Sequence, residues 1–227
     1  MNYSEIRQTA RENLEGNWGL SIGVTLVAAL LGGLVAGTGI DLDLNIDADE
    51  LSHLSYTTYK FVKGWLSIAA FLGFVQFILG GVVQLGYSQY LLKQHDHREL
   101  DFHDLFSQFH RFGQGFAQAF LRGLYTFLWA LLFIIPGIIK GIGYSMTPFI
   151  MADHPDMTAS EAIAASTELM KGYKGDHFIL GLSFIGWELL CVLTLGIGML
   201  WLNPYMNASY AAFYRKLLAQ RRDTTVA

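Results

Sequence analysis

An acidic side chain alone in a long apolar run demands a chemical reason, and Glu188 is such a residue. It is the one charge between Phe178 and Tyr214. Ten residues beyond Phe178, it stands about 15 Å along a helix, near the middle of a ~30 Å hydrocarbon layer. Two readings stand. An intramembrane acid carries function by default, in a proton relay or an ion path. Alternatively it is a neutral acid, hydrogen-bonded inside a helix bundle, its pKa raised by desolvation.

A second group is His95, Asp96, His97, His103, Asp104 and His110, holding four of the chain's seven histidines. Imidazole and carboxylate are zinc ligands, and His103 and His110 are two helical turns apart on one face. Yet no HExxH is present. The competing reading is a solvated polar face that responds to pH. A third group, Asp41, Asp43, Asn45 and Asp47, alternates like the start of an EF-hand loop. Ile46 stands where that loop needs glycine and Ser52 where it needs a bidentate glutamate, which excludes the EF-hand. A weak divalent-ion loop is what remains. There is no phosphate-binding G-x-x-x-x-G-K-[ST] loop and no G-x-S-x-G elbow. The single cysteine, Cys191, sits in an apolar run and makes neither a disulfide framework nor a metal site. No catalytic residue, metal ligand or cofactor is assigned, and an enzyme is not expected.

What must position these residues is an all-α, polytopic transmembrane bundle. The chain has 227 residues, 52% of them hydrophobic and 15% charged, with a mean hydropathy of +0.34. Soluble domains are nearer 25% charged. A net charge of −4 argues against nucleic acid as a partner, so the lipid bilayer is the partner the composition implies. Uncharged stretches predict spans near 18–39, 64–92, 116–135, 137–152, 178–196 and 198–214, in one domain covering 1–227. Pro136 and Gly137 interrupt the third apolar region. Gly196, Gly198 and Pro204 interrupt the last, so each region reads as two short spans joined by a break.

Positive charge orients the spans. With six of them and the N-terminus inside, twelve of the 15 Lys and Arg residues fall on the inner side, against Lys60, Lys63 and Lys140 outside. Both termini are therefore expected in the cytoplasm. Span three must begin near Phe116 and let Arg122 snorkel to the inner membrane surface.

Three segments read as helices at the inner surface. Residues 1–17 place Tyr3, Ile6, Ala10, Leu14 and Trp18 on one stripe, an interfacial pattern. Residues 101–112 offer Asp101 as a cap and set Phe102, Leu105, Phe106, Phe109 and Phe112 on one face. Residues 158–171 begin with the capping box Thr158-Ala-Ser-Glu161 and end before Gly172. Gly19/Gly23, Gly33/Gly37 and Gly137/Gly141 stand four apart, a spacing that lets helices approach closely.

Several local patterns together resemble a known family. They are Ile6-Arg7 to Trp18; Phe133-Ile-Ile-Pro-Gly-Ile-Ile-Lys140 with Tyr144-Ser-Met-Thr-Pro-Phe149; Met151-Ala-Asp-His-Pro155 through to Gly172; and Leu182 to Trp187, Leu193 to Gly198, Pro204-Tyr205 and Ala211 to Tyr214. Over nearly its whole length the chain resembles the bacterial membrane proteins of the domain of unknown function 975 family. More remotely it is similar to the membrane domain attached to some glycerophosphodiester phosphodiesterases, whose catalytic domain is absent. The resemblance implies a multi-span protein of the bacterial inner membrane and brings no catalytic residues. The expected role is lipid or partner binding in support of envelope integrity or stress tolerance. The alternative is a transporter or permease using the broken late spans and Glu188.

Overall fold

The computed structural model describes residues 3–33 and 56–226, and these are helical without strands. The end of the first expected span and the Asp41–Asp47 pattern lie outside the described residues. Helix α1 covers Tyr3–Leu14 and α2 covers Trp18–Leu30; α3, Tyr56–His95, is the long spine of the molecule. Two 3-10 turns, Phe102–Phe106 and Phe109–Arg111, lead into α4, Phe112–Leu132. Then follow α5 (Ile134–Gly143), α6 (Thr147–Asp153) and α7 (Ala159–Leu169). The chain ends in α8 (Lys174–Leu182), α9 (Ile185–Leu193) and α10 (Met199–Val226).

Two stretches among the described residues are long and apolar enough to cross a membrane, Lys63–His95 and Lys174–Leu193. The expected span 137–152 is not one helix: α5 ends at Gly143, and a turn through Tyr144–Met146 separates it from the buried α6. The break before it comes at Phe133, whose extended backbone (φ −157°, ψ 139°) ends α4. Pro136 and Gly137 fall in the first turns of α5, where a missing N–H costs little. Pro204 does not break its helix either, because α10 runs through it. Between α9 and α10 the chain does reverse, with Leu195 and Gly196 both at positive φ (52° and 85°).

The inner-surface segments also differ in detail from the sequence reading. The stripe of α1 faces α10 rather than the outside: Ala10 and Leu14 are fully buried against Ala208 and Tyr205. Segment 101–112 is 3-10 rather than α, and Leu105 leaves the aromatic face to become fully buried. The cause is α3. A Cβ at Gly86 would lie 1.9 Å from the Leu105 carbonyl oxygen, so glycine there lets this turn sit directly on the spine. Helix α7 follows its capping box, with Thr158 accepting from the Glu161 N–H and Gly172 at φ 82° beyond its end. Its buried Ser166 donates to the Gly143 carbonyl at 2.8 Å.

Side chains with polar heads pin the helices where the core is deepest. Ser21 on α2 meets the Tyr90 hydroxyl of α3 at 2.9 Å, Thr25 meets that of Tyr87 at 2.8 Å, and Gln94 donates to Ser21 at 2.9 Å. Away from water such pairs hold neighbouring helices by about 0.6–1.7 kcal/mol each. Of the expected glycine pairs, Gly137 and Gly141 press on α4 at Ala130 and Thr126, whereas Gly19 and Gly23 face no neighbour within 4 Å. A close approach of α3 and α4 is one the i, i+4 pattern missed: a Cβ at Gly81 on α3 would lie 2.3 Å from the carbonyl oxygen of Gly115 on α4.

Candidate functional site

Glu188 lies in the first turn of α9. It shares a face with Leu180, Phe184 and Cys191, which are all buried, while Trp187, Leu189 and Leu190 point outward. The carboxylate is thus half-buried on the bundle side. It stands within electrostatic reach of the Tyr210 hydroxyl on α10. The Tyr210 ring in turn stacks on His177 of α8, centroids 4.9 Å apart, and Phe213 packs edge-on to the same imidazole at 5.6 Å.

Tyr210 and His177 line a cleft of about 570 Å³ whose opposite wall is α4. Arg122 projects from that wall. Its guanidinium also lines a second cleft of about 480 Å³ on the α3 side, where it donates to the Gln84 amide oxygen at 2.8 Å. Gln118, one turn earlier on α4, donates to that oxygen too at 3.2 Å. The sequence predicts that Arg122 extends to the inner membrane surface. It turns to α3 instead, where Gln84 accepts from it and the small residues Gly81 and Gly115 let α3 and α4 approach. A lone arginine between two uncharged stretches was the available signal.

The histidine-rich linker does not converge. His103 bonds Asp101 at 3.0 Å, His110 faces the Ser107 carbonyl at 2.9 Å, and His95 approaches Asp96 at 3.6 Å. Among the described residues no three of His, Cys, Asp and Glu come together to hold a metal ion. The Asp101 carboxyl titrates below its ordinary range because it accepts the His103 backbone N–H and faces the His103 ring. What does converge there was not foreseen. Arg215 of α10 forks onto Asp96 at 3.1 and 2.6 Å and reaches Asp153 of α6 at 2.6 Å, and the Tyr214 hydroxyl donates to Asp153 at 3.0 Å. Lys216 pairs with Glu5, Arg221 with Glu168, Lys93 with Asp104, and Tyr3 donates to Asp176. Four segments distant in the chain (α1, the linker after α3, residues 153–176 and the C-terminal part of α10) are thereby tied into one polar end.

A family model described as "Protein of unknown function (DUF975)" matches residues 1–140 and 132–221, which together span almost the whole chain. The chain belongs to this family. No curated protein and no solved structure matches it. For this DUF975 protein, therefore, the chemistry of the site rests on its own residues: a half-buried guanidinium between two clefts, and a carboxylate close to a hydroxyl that lines one of them.

Proposed function

We propose that this DUF975 protein is a multi-pass protein of the bacterial inner membrane, with about six membrane-embedded segments and both termini cytoplasmic, that binds lipid or a protein partner without catalysis and supports envelope integrity or stress tolerance. The observation that carries this reading is the separation of its surface into a charged end and an apolar flank. Arg7, Arg11, Lys93, Arg98, Arg111, Lys171, Lys174, Arg215, Lys216, Arg221 and Arg222 all belong to the segments tied together at the polar end. Away from that end, large apolar side chains face outward on three separate elements. Phe71 and Phe74 of α3 are 65% and 61% exposed, Phe127 and Leu131 of α4 61% and 68%, and Leu193 of α9 79%. Water-soluble monomers rarely present so extended an apolar face. The gathering of basic residues on one side accords with the rule for cytoplasmic loops.

Reporter fusions at Asp49 and after Ala227 test the arrangement. Activity of a periplasm-dependent reporter at Asp49, and of a cytoplasm-dependent reporter after Ala227, is the expected pair of results. A cytoplasmic signal at Asp49 defeats the topology. The second reading, a transporter or permease, draws on Glu188 beside Tyr210 and on the broken helices α4–α5 and α8–α9, since discontinuous helices often build substrate sites. An uptake or efflux activity abolished by Glu188→Gln, with protein still present in the membrane, is the result that favours it.

A further inference from the structure

Arg122 has more hydrogen-bonding capacity than its surroundings use. A guanidinium carries five N–H donors and no acceptor. Among the described residues its one hydrogen bond goes to the Gln84 amide oxygen, and no carboxylate pairs with it. The contrast with Arg215, held by two carboxylates, is direct. A half-buried guanidinium without a counter-charge, facing two clefts, is poised to take a negative group there.

The larger cleft offers what such a group would need. The Thr126 and Ser145 hydroxyls on its wall each donate to a backbone carbonyl of their own helix turn at 2.8 Å, so their protons are engaged. Tyr210 and His177 line the same cleft as Arg122, and the hydroxyl and the ring make no hydrogen bond among the described residues. Glu188 does not line the cleft. The free polar groups are therefore one cation and two further donors, a set that suits an oxyanion. The remaining wall is apolar, and it runs out to Phe127, which is 61% exposed and lines both clefts.

We infer that the cleft between α4, α8 and α10 binds a phosphate group, with Arg122 as its counter-charge and Tyr210 and His177 as supporting donors. The inference deepens the lipid-binding reading and rests on it where the phosphate belongs to an amphiphile. The apolar wall at Phe127 would then carry the chain, whereas free inorganic phosphate would use the donors alone.

The test uses the full chain purified in a neutral maltoside detergent. Three probes are added: six-carbon-chain phosphatidylglycerol, diacylglycerol with the same chains, and inorganic phosphate. Binding is read as a shift of the thermal unfolding midpoint. Phosphatidylglycerol is expected to raise it where diacylglycerol does not. Arg122→Gln is expected to weaken the apparent affinity about tenfold or more, the loss of one charge-assisted contact, with smaller losses for Arg122→Lys and Tyr210→Phe. An equal response to inorganic phosphate supports the site and identifies the free anion as its source. Equal response to diacylglycerol, no response of the wild type to either phosphate-bearing probe, or wild-type affinity in Arg122→Gln each overturns it. Where Arg122→Gln does not fold, unchanged affinity in both Arg122→Lys and Tyr210→Phe does the same. Alkaline extraction of membranes separates the two claims. Release of the protein into the supernatant defeats the membrane reading whatever the phosphate result, and retention without phosphate binding defeats this inference alone.

Discussion

The polar end and the middle of the bundle hold together by different physics. At the polar end Arg215 spans Asp96 and Asp153, and Lys93, Lys216 and Arg221 each have an acid. In the middle, Arg122 is answered by an amide and the Glu188 carboxylate makes no hydrogen bond among the described residues. What closes the middle is shape, the near-contact of Gly81 and Gly115. Matched charges fix a structure, whereas an unmatched charge inside a well-packed frame is free to act on something else.

The comparison can be broken first at Arg215. Its replacement by Gln takes the closest cation from two acids that are only 20–25% exposed, leaving Asp153 the Tyr214 hydroxyl and Asp96 the more distant Arg98 at 3.7 Å. We expect a loss of about 3 kcal/mol, the lower edge of what breaking a fully buried pair costs, read by denaturant titration in detergent. A loss near zero would mean that the polar end is solvated rather than structural. Next is Gly81→Ala, which forces α4 away from α3 and costs about 2 kcal/mol, within the usual range for overpacking. It should also disturb the Gln84–Arg122 contact, seen as a weaker response to phosphatidylglycerol. An unperturbed stability would show that charge rather than packing holds the middle.

Smaller effects sharpen the contrast. Thr158→Ala removes the cap of α7 and should cost about 1 kcal/mol. The Glu161 carboxyl is held below its ordinary range by the Thr158 backbone N–H and hydroxyl. A carboxyl depressed in the folded state contributes stability above its unfolded value, about 4.3, and loses it as pH falls through the folded value. Hydrogen exchange at the first turn of α7 should therefore quicken below that pH in the wild type, and much less so in Glu161→Gln. The smallest effect is expected from Glu188→Gln, under about 0.5 kcal/mol in stability, because Gln keeps a polar head of similar shape. A large loss would show that the carboxylate has a partner the middle was thought to lack.

Local signals in the sequence translated well where one element decides its own fate. Thr158 and Glu161 predict a helix start, and Gly172 sits at positive φ just past its end. The turn at Gly196 was legible for the same reason. Signals that depend on a neighbour were not. The Phe102–Phe112 periodicity says helix, but Gly86 draws Leu105 onto α3 and tightens the segment to 3-10 turns. Pro204 reads as a breaker, yet α10 carries it through at the loss of one intrahelical bond, because its neighbours Leu202 and Met206 are held in the core. Glu188 was visible because it is alone in its run. The Arg215 hub was not, because its partners stand 119 and 62 residues away in the chain. Arg122 is isolated in the sequence, but its Gln84 partner stands 38 residues away.

The phenylalanines of the linker supply a depth gauge. The rings of Phe102, Phe106 and Phe109 follow one another at 6.0 and 5.5 Å, and with Phe112 they stay about one-third exposed beside the charged end. On the membrane reading proposed above, such an apolar aromatic face beside a charged end marks the interface. Arg122 follows Phe112 by ten residues of α4, about 15 Å along the axis. That is half the thickness of a ~30 Å hydrocarbon layer. In the proposed membrane arrangement, a phosphate resting on Arg122 has left its own headgroup plane and stands midway between the two leaflets, the point every lipid must pass when it changes sides.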